Sequence, residues 1–116
     1  MIYRYLVTQP DLNAHGTLHG GMLMKWVDEA CGMEARILSG HVCATRNIRE
    51  IDFRATAKLG DIIEITVRHI ETRRTSMSFS ATVRKVGASV IANFERLVFV
   101  AVNENHEAVV VNNENS

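Results

Sequence analysis

The sequence predicts an α+β domain in the order β-α-β-β-β-β, with one long central helix wrapped by a curved antiparallel sheet. Three observations carry this reading. Only one stretch, Gly20 to about Leu38, repeats its apolar residues at helical steps. After Ser39-Gly40 the chain alternates apolar and polar residues in segments broken by turn signals. The helix is also apolar around well over half its circumference, more than a helix lying on a surface needs. With 116 residues and 47% hydrophobic content, the chain is long enough for one buried core and too short for two.

Ile2 to Thr8 alternates and reads as a short strand, ended by Gln9-Pro10-Asp11, whose proline cannot donate to a ladder. A loop, Asp11 to His19, follows. In the helix, Leu23, Trp26, Val27, Ala30, Met33 and Ile37 fall at three- and four-residue steps, and Met24, Cys31, Ala35 and Leu38 widen that face. At roughly 100° per residue only Lys25, Glu29, Gly32 and Arg36 share a polar stripe. Val42 to Arg54 is one long strand whose inward phase shifts between Ile48 and Ile51, as at a bulge or bend. Ala57 to Asp61 is a turn, and Ile63, Ile65 and Val67 then alternate with polar residues. Arg73-Arg74 marks the next turn, before Met77, Phe79, Ala81 and Val83. Val86-Gly87-Ala88 closes a hairpin, and Val90 to Val102 is the last strand. Residues 1–103 are expected to form a single domain, and 104–116, rich in Asn and Glu apart from Val109 to Val111, a loosely held polar tail. The economical arrangement is a sheet curling around the helix. One five-stranded sheet cannot cover so apolar a helix while its own edges stay open, so a partner subunit is expected.

Lys plus Arg equals Asp plus Glu at 13 each, which leaves no overall field to hold a nucleic-acid backbone or an anionic membrane. An anionic ligand must therefore be caught locally. The opening residues lack a basic region followed by an apolar core, and no apolar run approaches the roughly 20 residues that span a bilayer. A cytoplasmic location is expected. Cys31 and Cys43 have neither CxxC spacing nor a histidine cluster in zinc-ligand order, so they read as reduced thiols and no metal is implied.

The chemistry concentrates in Asn13 to Glu29. Gly20-Gly21 stands where the helix begins, where glycine permits close approach to the free N–H groups of the first turn. Those groups and the positive end of the helix dipole suit a developing oxyanion. The same pair equally suits the start of a tightly packed helix. Asp28 lies at the margin of the apolar arc, apart from the stripe of Lys25, Glu29 and Arg36. A carboxylate there is either a base partly withdrawn from water or a surface charge. Glu34 falls deeper in the arc and is kept as a secondary acid. Asn13 taken alone reads as a turn residue or cap, and His15 and His19 flank the glycines in a place where histidine is more often structural than catalytic, with His19 carried as a substrate-binding candidate. No Ser or Cys occupies a nucleophile elbow, which argues against side-chain nucleophiles of those types.

Asn13, His15-Gly16-Thr17-Leu18-His19-Gly20-Gly21 and Lys25-Trp26-Val27-Asp28-Glu29-Ala30 together resemble the signature of hotdog-fold acyl-CoA thioesterases. The nearest types are the short bacterial acyl-CoA hydrolases and the repeats of the brain-type cytosolic hydrolase. The likeness continues through Ile51-Asp52-Phe53, Lys58 to Ile63 and Arg74 to Met77, covering about residues 8–103. It implies a hotdog fold, a dimer at least, acyl-CoA as substrate with CoA as product rather than cofactor, and a site using Asn13, Gly20 and Asp28. Glu34 departs from it, since an apolar or small residue is usual there.

Eight residues of helix place Asp28 about 12 Å along the axis from the Gly20 amide, too far for both to serve one carbonyl. Two antiparallel helices from two chains solve this. Asp28 of one chain then faces Gly20, Gly21 and Asn13 of the other, in a homodimer or a higher homo-oligomer such as a tetramer or hexamer. The expected reaction binds the thioester oxygen at the Gly20 or Gly21 N–H while Asp28 takes a proton from a water oriented by Asn13. Direct attack by Asp28 through an anhydride is the variant. For the CoA phosphates, Arg73 and Arg74 beside Thr75-Ser76 come first, with Arg54 and Lys58 next. Each is equally well read as a solvated hairpin tip. Thr45 is a candidate for the acyl side. The rival readings are a non-catalytic acyl-CoA-binding module and an enoyl-CoA hydratase or dehydratase, the latter normally needing a paired Asp and His.

Overall fold

Alternation along five segments and a 3.6-residue period in one set the elements of the computed structural model, which describes residues 1–111. Residues 112–116, the end of the expected polar tail, lie outside the described residues. Strand β1 (Ile2–Leu6) leads through a single 3-10 turn (Gln9–Asp11) and a loop to helix α1 (Gly20–Ser39). Then come β2 (Cys43–Phe53), β3 (Ile62–Thr72), β4 (Ser76–Lys85) and β5 (Val90–Ala101). The 3-10 turn adds to the strand end expected at Gln9-Pro10-Asp11. It is closed by Asp11 Oδ2, which accepts from the Thr8 N–H and hydroxyl at 2.8 and 2.9 Å.

All neighbouring strands are antiparallel, in the order β1-β3-β4-β5-β2. This corrects the expected curved, wrapping sheet. The sheet is open, β1 and β2 are its two edges, and among the described residues no pairing joins them. The helix lies against one face. The radius of gyration, 15.0 Å, exceeds the roughly 13 Å of a compact domain of this length, as an open slab requires. Five strands span one side of a helix but not its circumference. The excess of apolar residues on α1 is therefore left uncovered at its second half, where Met33, Ile37 and Leu38 are 44%, 65% and 44% exposed.

The core lies between helix and sheet. Val27, Ala30, Cys31 and Ala35 meet Ile63, Ile65, Phe79, Phe94, Leu97 and Phe99, all buried. Small residues bring the helix close: a Cβ at Gly32 would already touch the Phe99 ring at 3.5 Å. Tyr5 of β1 stacks on Trp26 of α1 with ring centroids 4.8 Å apart and planes 5° from parallel. Gly40 ends the helix in the left-handed conformation, φ 73°, as a C-terminal cap favours.

Two irregularities in β2 decide what faces the helix. A register shift between Thr45 and Asn47 and a left-handed Glu50, φ 58°, together put Thr45, Ile48, Ile51 and Phe53 opposite Phe99, Leu97, Phe94 and Ala92. The phase shift read between Ile48 and Ile51 is thus present, and the one before it had no signal in the alternation. Beyond β5 the chain turns back: Ala108 bridges to Val102, and the Val109 and Val111 N–H groups donate to Ala101 and Arg74 carbonyls. The stretch expected to be loose is held as far as Val111, whose side chain is buried. Among the described residues no helix is long and apolar enough to cross a membrane.

Candidate active site

The loop before the helix is organised from within. Asn13 Oδ1 accepts from the His15 and Thr17 N–H groups at 2.9 and 3.1 Å, and Asn13 Nδ2 donates to Thr17 Oγ1 at 3.0 Å. Asn13 is therefore a loop organiser, with one amide N–H left without a partner among the described residues. Leu18 donates its N–H to Ala57, and His19 donates its own to Asp11, which fixes the loop at the helix start.

The first turn of α1 has its amides allotted unequally. His19 is the N-cap, and its Nδ1 accepts the Gly21 N–H at 2.9 Å. Its carbonyl accepts the Met22 and Leu23 N–H groups at 3.0 and 3.1 Å. Only the Gly20 N–H has no acceptor among the described residues. Of the two amides expected to receive an oxyanion, Gly20 alone is open in this chain, at the positive end of a 20-residue helix. The glycines also differ sterically. A Cβ at Gly21 would meet His19 Cε1 and Nδ1 at 3.1 Å, whereas one at Gly20 would meet only Phe53 Cζ at 3.9 Å. Gly21 makes room for its cap, and nothing within the chain demands glycine at 20. Beside Gly20 a mostly apolar cavity of about 230 Å³ is lined by Asn13, Leu23, Phe53, Ala57 and Ile91 among others.

Asp28 is half-buried on the β2 side of the helix. Thr45 Oγ1 donates to Asp28 Oδ1 at 2.6 Å, so the side chain expected on the acyl side is in contact with the carboxylate. No alternation or spacing rule could have shown this, because the contact depends on the β2 register shift described above. Neither loop histidine pairs with Asp28: His19 Nδ1 is engaged with Gly21, and His15 is exposed in the loop. Cys31, fully buried, has its thiol pushed up to about 12, first by burial and then by the Asp28 and Glu34 carboxylates. Burial also raises Cys43, against the lowering effects of its hydrogen bond with Ser39 and of Arg36. Neither is set up as a thiolate nucleophile.

The expected phosphate residues do not all converge within one chain. Arg54 pairs with Asp52 at 2.8 Å, and Arg73 pairs with Glu71 at 3.1 Å. Lys58 is exposed and gives its backbone N–H to Asp61. Arg74, Thr75 and Ser76 offer backbone carbonyls to Val111, Ala101 and Arg73. Arg73 and Ser76 do line one polar cavity, together with Arg46, Arg49 and Arg96, which carry no motif or spacing that singles them out in the sequence.

One long helix against an open antiparallel sheet, its glycine start left accessible, is the architecture of hotdog-type proteins. Residues 15–92 match the family model described as the thioesterase superfamily, and the chain belongs to that family. Over 89 residues it is 30% identical to the acetyl-coenzyme A thioesterase of Mus musculus, covering 77% of this chain and 16% of that protein. Over 72 residues it is 33% identical to the Rattus norvegicus enzyme of the same name, covering 62% of this chain and 13% of that protein. The chain thus spans less than a fifth of the length of these curated relatives. Among solved structures, it resembles an apo-hexameric acyl-CoA thioesterase with TM-score 0.87 and 29% identity, over 96% of this chain and 74% of that one. It also resembles the acyl-CoA hydrolase of Staphylococcus aureus in complex with butyryl coenzyme A, with TM-score 0.86 and 25% identity, over 96% and 70%.

Proposed function

We propose that this protein hydrolyses acyl-CoA thioesters to free acid and CoA in a site shared by two copies of the chain. The observation that carries the reading is the pairing of Thr45 with Asp28 on a helix whose Gly20 amide alone is unengaged at its start. The hydroxyl takes Asp28 Oδ1 and leaves Oδ2 without a partner among the described residues. Oδ2 accepts a proton from water, and the water oxygen attacks the thioester carbon. The carbonyl oxygen gathers charge against the Gly20 N–H, and the free Asn13 amide N–H orients the water. The C–S bond then breaks, CoA leaves as a thiolate, and the proton held by Asp28 returns to solvent or thiolate.

Asp28 and Gly20 of one chain are about 12 Å apart along the helix, so the second chain must supply one of them. The Staphylococcus aureus hydrolase is known as alanine variants of an asparagine, an aspartate 15 positions later and a threonine 17 beyond that. Asn13, Asp28 and Thr45 have the same order and spacing. Several of the similar structures are hexameric, which supports a homo-oligomer here. An acyl-CoA substrate is an intracellular metabolite, which supports a cytoplasmic location.

Thiol release from a panel of acyl-CoAs tests the reading. Turnover is expected in the wild type, with a fall of at least about 100-fold in Asp28→Ala. Full turnover in that variant, or a species of 13.0 kDa by light scattering, contradicts the shared site.

A further inference from the structure

On the sheet face turned away from the helix, β2 and β5 place two arginines directly opposite each other. Arg49 and Arg96 are cross-strand partners, next to the helix-facing pair Ile48 and Leu97. Like charges so placed repel. They line a cavity of about 640 Å³ into which Arg46, from the β2 irregularity, and Arg73, from the β3–β4 turn, also open. Glu71 is the one carboxylate in the lining, and its Oε1 accepts from both Arg73 Nε at 3.1 Å and Arg96 Nη2 at 2.8 Å. Arg96 also donates to Ser78 Oγ at 3.3 Å. Arg46 and Arg49 have no ion pair among the described residues. A chain with no net charge has gathered four guanidiniums around one carboxylate in a single concavity.

We propose that this arginine cleft is a binding site for phosphate groups. Four planar donor forks suit tetrahedral oxyanions held by two parallel hydrogen bonds. Four arginines and Glu71 leave three positive charges in excess; a carboxylate lowers that to two, whereas a phosphate, at about −1.5 to −2 at neutral pH, lowers it to about one. Such a ligand relieves the Arg49–Arg96 repulsion that the strand register imposes. The cleft lies on the opposite face of the sheet from Asp28, so it is a separate site from the thioester cleft within one chain. The phosphates come either from CoA bound across neighbouring subunits or from a free phosphate compound. Only the first source rests on the hydrolase reading.

Calorimetry of the full chain with inorganic pyrophosphate at low salt tests this without turnover, so its failure and that of the hydrolase reading are separable. Saturable binding is expected, weakened about tenfold or more in Arg46→Gln and Arg49→Gln and unchanged in Arg4→Gln, which lies outside the cleft. Both cleft substitutions are at exposed positions, and an unchanged circular dichroism spectrum shows that the fold survives them. Displacement of pyrophosphate by CoA but not by dephospho-CoA supports the site with the substrate's 3′-phosphate as its source. Displacement by neither supports the site with a free phosphate compound. No saturable binding, or equal binding in Arg49→Gln and wild type, overturns the proposal. So does a change in assembly mass in Arg49→Gln with pyrophosphate binding intact, which would make the cleft a contact between copies.

Discussion

Gly20 and Gly21 are neighbours with different reasons to be glycine, and substitution separates them. Alanine at 21 forces the His19 ring off its hydrogen bond, because a Cβ would stand 3.1 Å from two ring atoms. Gly21→Ala is therefore expected to lose about 1 kcal/mol, the usual worth of an N-cap, and to melt at lower temperature. Alanine at 20 has room within the chain, so Gly20→Ala keeps its melting temperature. Its thiol release should nevertheless fall, since a methyl group crowds the one open amide. Thr45 is the other residue whose contact the structure supplies. Thr45→Val removes a hydrogen bond to a charged carboxylate, and kcat should drop about tenfold to a hundredfold with little change in KM. Asp28 and the glycines stood out in the sequence because helical period and helix-start chemistry are local. Thr45 did not, because it lies 17 residues on and reaches Asp28 only after a shift in strand register.

Helix α1 was legible almost to the residue, since its period is regular from Leu23 and its end carries Gly40 in a left-handed cap. Its N-cap was less visible, because histidine is not among the usual capping residues. The place of half-buried Glu34 in the apolar arc finds its explanation in β1: Tyr3 donates its hydroxyl to Glu34 Oε1 at 2.9 Å. Burial, then the hydrogen bond to Glu34 and its charge, push the Tyr3 phenol up to about 12 from its ordinary 10. The phenol is raised on folding, so its contribution is fully present below pH 10. It is lost as pH climbs from 10 to about 12, where the unfolded chain ionises first. Denaturant titrations across that window should show stability falling in the wild type and falling less steeply in Tyr3→Phe. The curvature of the sheet was misjudged because a wide apolar arc on a helix states how much must be covered, not by which chain.

That uncovered area belongs to the scale of the whole molecule. Met33, Ile37 and Leu38 stay exposed on one chain, and the separation of Asp28 from Gly20 asks for a second chain at the same helix. A mixing experiment tests both together. Chains carrying Asp28→Ala and chains carrying Asn13→Ala are each expected to be nearly inactive. Unfolded and refolded together, they should recover about a quarter of wild-type turnover, because each mixed dimer rebuilds one intact site of its two. No recovery would place Asp28 and Asn13 in the same chain's site. The proposed assembly is legible in the sequence only as a need, through an apolar helix that one sheet does not cover; its order is not, because faces that pair between chains leave no periodic mark. The stacking of Tyr5 on Trp26 has one more consequence. Trp26 is the only tryptophan in the chain and is 7% exposed, two residues before Asp28. Its fluorescence is therefore an intrinsic gauge: a blue emission maximum while β1 stays docked on the helix, shifting to the red when that edge strand peels away, with no label attached.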